Sequence, residues 1–70
     1  MPSLRINGSD HAFPGDTLPA TVAELLNALE IDHATVVAEV DGQIVERTRF
    51  GETPIREGQS IELVRFVGGG

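Results

Sequence analysis

The 70-residue chain contains no cysteine, no lysine, no tryptophan and no tyrosine. Without cysteine there can be no disulfide, no thiolate metal site and no thiol nucleophile, and the composition is compatible with a reducing compartment. Without lysine, no side-chain amine is present to attack an activated acyl group. Basic residues are scarce in general. Arg5, Arg47, Arg49, Arg56 and Arg65 stand against eleven acidic residues, giving a net charge of −6. Such a surface repels phosphate backbones, so no nucleic-acid partner is expected. No apolar run approaches the roughly 18 residues of a membrane span, and the N-terminus lacks a basic, apolar, cleavable signal. The expectation is a cytoplasmic domain with no membrane partner.

What is present suits one small domain. Apolar types make up 40% of the residues and charged types 23%, a globular balance rather than a disordered one. Residues 1–67 read as a single domain and residues 68–70 as a flexible C-terminal glycine tail. A core of this size supplies only about 3–5 kcal/mol of stability.

Local patterns set the elements. Leu4 and Ile6 alternate with Arg5 and Asn7, the period-2 signature of a half-buried strand. Asn7-Gly8 is a hairpin signal, because both residue types tolerate positive φ, and a return strand through Phe13 follows. Thr21-Val22-Ala23-Glu24 reads as a capping box, and Val22, Leu25, Leu26 and Leu29 fall on one helical face that ends near Glu30. Val36–Val40, Asp41-Gly42 and Gln43–Glu46 form a second hairpin. Residues 47–58 suit a loop with a short extended piece around Ile55, and Ser60–Val67 is the last strand. The sum is an α+β chain, written ββαββ, a mixed sheet with its one helix packed on one face.

In the last strand Ile61 and Leu63 share one face, while Glu62, Val64 and Phe66 share the other. Val64 and Phe66 then lie on the open side as a partner-binding pair, or a bulge turns them into the core.

Catalytic groups are hard to find. His11 and His33 have no metal-ligand spacing and lie near element ends, and Ser3, Ser9 and Thr21 occupy strand, turn and cap positions. No catalytic residue, metal or bound cofactor is expected. What remains is Gly68-Gly69-Gly70, directly after an apolar strand. Glycines make a narrow tail able to thread a tight channel, and a terminal carboxylate becomes reactive once activated, for example as a mixed anhydride with AMP. The alternative is a frayed end without function.

Four segments together resemble the ThiS family, the ubiquitin-like β-grasp sulfur carriers of thiamin biosynthesis. They are Ile6-Asn7-Gly8, Thr21–Leu26, Val37–Val45 and Gly58–Gly70, and their order covers nearly the whole chain. The resemblance implies a carrier that is not itself an enzyme. A ThiF-like adenylating enzyme would use ATP to activate the Gly70 carboxylate, with Gly68 and Gly69 threading into partner sites. A cysteine desulfurase or other persulfide donor would supply the sulfur of a thiocarboxylate. ThiG-like thiazole synthase would receive it. Glu46 departs from the proline common after the Ile-Val pair, and Asp41 replaces a common asparagine. The alternatives are a carrier like the small subunit of molybdopterin synthase, and a ubiquitin-like interaction module that needs no modified terminus.

Overall fold

A computed structural model describes residues 1–66. Val67, the expected end of the last strand, and the three tail glycines lie outside the described residues. The elements are β1 (Ser3–Ile6), β2 (Ser9–Ala12), α1 (Val22–Ala28), β3 (Val36–Val40), β4 (Gln43–Val45) and β5 (Ser60–Arg65). Short 3-10 turns cover His33–Thr35 and Arg47–Arg49. Written strand by strand the order is ββαβββ, because the final strand adds to the two hairpins.

The sheet order is β2-β1-β5-β3-β4. Both hairpins are antiparallel, β5 runs antiparallel to β3, and β5 runs parallel to β1. The last strand therefore lies in the middle of the sheet with a neighbour on each side. Chain order does not reveal this, because the parallel pair joins the two ends of the sequence.

Each hairpin turn has positive φ at both central residues, 52° and 83° for Asn7-Gly8 and 49° and 84° for Asp41-Gly42. That geometry matches the right-handed twist of the flanking strands. The first residue of each turn also grips β5. Asn7 Oδ1 accepts from the Leu63 N–H at 2.8 Å and Asn7 Nδ2 donates to the Leu63 carbonyl at 3.2 Å. Asp41 Oδ1 accepts from the Ser60 N–H at 2.9 Å. The Asp41 carboxylate thus supplies the same kind of acceptor oxygen that an asparagine would. Glu46 has φ −68°, the value a proline ring imposes, so neither departure from the family pattern disturbs the backbone.

The helix begins at Thr21, whose hydroxyl accepts from the Glu24 N–H at 3.2 Å. Only this half of the expected capping box is found among the described bonds. Thr21 is bridged to Pro54 instead, and the Glu24 side chain stays in solvent. The helix ends through Ile31 N–H to Leu26 O and Glu30 N–H to Asn27 O, with Glu30 at φ 58°. This is a glycine-type helix stop occupied by a side-chain-bearing residue.

Val22, Leu25 and Leu26 cover one sheet face and bury Leu4, Ala38, Ile61 and Leu63. The 47–58 segment closes the core with Phe50 and Ile55, which are 2% and 8% exposed. Burying a large aliphatic side chain is worth about 1.5–3 kcal/mol, so these few residues carry most of the fold's stability.

Candidate functional site

The helix covers only one face of the sheet. On the other face the side chains of alternate residues from β3, β4 and β5 project outward. Val64 and Phe66 lie there, 59% and 47% exposed, so no bulge returns them to the core. Ile44 and Val37 accompany them at 68% and 40% exposure. The register places Val37 directly opposite Val64. The Phe66 N–H still bonds the Thr35 carbonyl at 2.9 Å, so backbone hydrogen bonding continues past β5 to the last described residue. Four apolar side chains thus gather around the strand that leads to the glycines, and such clusters mark interaction surfaces.

Val37 and Ile44 escaped the sequence reading, although the signal was available. Val36 to Val40 is apolar at four of five positions, and a one-sided sheet forces alternate members outward. Two carboxylates belong to the same surface. Glu39 faces Glu62 across the β3–β5 pair, and Glu39 also faces Ile44 across the β3–β4 pair. The ion pairs among the described residues are Arg5–Asp10 at 3.4 Å and Arg49–Glu52 at 3.3 Å, and neither involves these glutamates.

The candidate catalytic side chains are not brought together. His11 is exposed and stacks on Phe13 with ring centroids 5.2 Å apart. His33 lies on the helix side, with Nε2 3.0 Å from Asn27 Oδ1 and its ring edge-on to Phe50 at 5.8 Å. Ser3 and Ser9 sit in strands of the β1–β2 hairpin, and Thr21 caps the helix. Among the described residues no three His, Asp or Glu groups converge as a metal site would require. No described helix is long and apolar enough to cross a membrane. Gly68, Gly69 and Gly70 lie outside the described residues. The last described residue, Phe66, follows the central strand and belongs to the apolar cluster.

A five-stranded mixed sheet in this order, with one helix over one face and the final strand in its centre, defines the ubiquitin-like β-grasp class. Comparison with known proteins narrows the class. The ThiS family model matches residues 4–70. The chain is 33% identical over 67 residues to the sulfur carrier protein ThiS of Bacillus subtilis, covering 96% of this chain and 98% of that protein. It is equally 33% identical over 67 residues to a thiazole synthase of Paramagnetospirillum magneticum, but there the match spans only 20% of the longer protein. Among solved structures, a crystal structure of ThiS from Geobacter metallireducens superposes with a TM-score of 0.79 at 34% identity, covering 97% of this chain and 99% of the other. A solution structure of a thiamine biosynthesis protein from the same organism gives 0.77 at 36% identity, covering 97% and 87%. The chain belongs to the ThiS family, the small sulfur carriers of thiamine biosynthesis, and is a carrier rather than a catalyst.

Proposed function

We propose that the working group of this carrier is the Gly70 carboxylate, and that Val64 and Phe66 dock the proteins that act on it. In this reading a ThiF-like adenylating enzyme binds ATP and joins the carboxylate oxygen to the α-phosphate, with pyrophosphate leaving. The outer sulfur of a persulfide, on a cysteine desulfurase or another donor, then attacks the acyl carbon and expels AMP. A thiol cleaves the resulting acyl disulfide, itself becoming a disulfide with the donor cysteine and leaving a thiocarboxylate. Thiazole synthase accepts that sulfur during ring formation. The carrier itself binds no cofactor in this scheme. In this reading the carrier works in the cytoplasm, where the ATP that adenylation consumes is available.

The observation that carries this reading is the position of β5. It is bonded on both sides and gripped by Asn7 and Asp41, so the last described residues are held next to an exposed apolar surface, which supports a carrier whose working end follows them. Gly68 and Gly69 have no side chain to obstruct a narrow channel, and the absence of lysine removes side-chain amines that would compete for the activated acyl group.

Intact-mass analysis after incubation with ATP, the adenylating enzyme and a sulfur donor tests the proposal. The expected result is an oxygen-to-sulfur mass change confined to the C-terminal peptide. Deleting Gly69 and Gly70 should abolish that change while leaving the melting temperature where it was. A full-length chain that gains neither AMP nor sulfur would sink the reading. A truncated chain that still supported thiazole formation would favour an interaction module instead.

A further inference from the structure

The open sheet face holds an arrangement that is unfavourable to the isolated protein. Glu39 and Glu62 are directly opposite on neighbouring strands, where side chains stand about 4.5–5.5 Å apart at Cβ. Like charges so placed repel. No described arginine relieves them. Arg5 is on the same face but is bound to Asp10 and to the Gly8 carbonyl, and Arg65 belongs to the opposite side of β5. The pair is bordered by Val37 and Val64 on the next rung and by Ile44 on β4.

Docking against this face would remove the pair from water. Two carboxylates without a cation are costly to desolvate, whereas one cation between them makes charge-assisted hydrogen bonds in a surrounding that excludes solvent. The occupant must therefore bring an apolar surface with a basic residue at its centre. A partner whose contact surface is purely apolar is disfavoured by the same argument.

We propose that Glu39 and Glu62 together hold one arginine or lysine of thiazole synthase, docked on the surface formed by Val37, Ile44, Val64 and Phe66. The inference rests on the sulfur-carrier reading above. Thiazole synthase is the chosen occupant because the relative from Paramagnetospirillum magneticum carries a segment like this chain within a polypeptide named for that enzyme. Linkage in one chain raises the effective concentration of the two parts for each other, so even a modest surface becomes an occupied one.

The test is calorimetric titration of the full-length carrier with the thiazole synthase of the same organism, at low and moderate salt. Wild type is compared with Glu39→Gln, Glu62→Gln and the double variant. The double variant should bind about tenfold more weakly and lose most of its salt dependence. Its melting temperature should be unchanged or higher, because the repulsion is gone. That opposition of binding and stability is a signature that a merely structural role for the glutamates would not give.

Equal binding by wild type and double variant overturns the proposal, and so does a wild type that does not bind the synthase at all. Loss of binding to the adenylating enzyme, with synthase binding intact, overturns the choice of occupant. In each case mass analysis of Gly70 reads the carrier function separately, so failure here is distinguishable from failure there.

Discussion

Two faces of one sheet carry similar residues to opposite ends. Ile61 on the helix side is fully buried, while Ile44 on the open side is 68% exposed. Val36 and Val37 are neighbours in sequence, yet they are 5% and 40% exposed. Residue type does not separate these cases. What separates them is the single amphipathic helix, which can shield one face only, together with strand alternation, which assigns every second residue to the other. The helix-side face therefore supplies stability, and the open face is left to make contacts outside the chain.

The sharpest way to break this comparison is to truncate matched residues on the two faces. Ile61→Ala should cost about 2–5 kcal/mol, comparable with the whole stability of so small a domain, and chemical denaturation should find it largely unfolded. An Ile61→Ala protein that melts like wild type would show that the core has been misplaced.

Next in size is Asn7→Ala, which leaves the Leu63 N–H and carbonyl without their side-chain partners. A loss of about 1–3 kcal/mol is expected, with Asn7→Asp intermediate because it keeps the acceptor and loses the donor. Hydrogen exchange at the Leu63 amide should accelerate in Asn7→Ala and stay close to wild type in Asn7→Asp, which keeps the acceptor oxygen.

Glu30→Gly should act in the other direction. Relieving a side chain at φ 58° beyond the helix is expected to stabilise the fold by about 0.5–1 kcal/mol, visible as a higher midpoint in thermal melting. The smallest stability effect belongs to the open face. Ile44→Ser should stay within about 0.5 kcal/mol of wild type. If it destabilised as much as Ile61→Ala, the contrast between the faces would be lost.

Much of this architecture was legible in the sequence for local reasons. Asn7-Gly8 and Asp41-Gly42 signal turns through the conformations that those residues tolerate, and the Val22–Leu29 stripe with Thr21 ahead of it signals the helix. The parallel pairing of β1 with β5 was not legible, because it joins residues some 55 positions apart that share no local pattern. Phe50 was hidden in a segment whose glycine and proline suggested a loop with one short extended piece around Ile55, and that piece gave no sign that its neighbour Pro54 would bridge to Thr21. At the site, the outward side of Val64 and Phe66 was legible from strand alternation as one of two readings, the other being a bulge. The outward side of Val37 and Ile44 was legible only by applying the same alternation to β3 and β4, whose apolar runs otherwise read equally well as core. The Glu39–Glu62 juxtaposition required the β3–β5 register, which no single strand encodes.

The central placement of β5 also determines how the molecule responds to tension. A partner that draws the glycines into a channel pulls along a strand flanked on both sides, so the load falls on two ladders in shear and their bonds share it. An outermost strand would peel away one bond at a time under the same force. Under the proposed function, the carrier is therefore braced along the direction in which the glycines would be drawn.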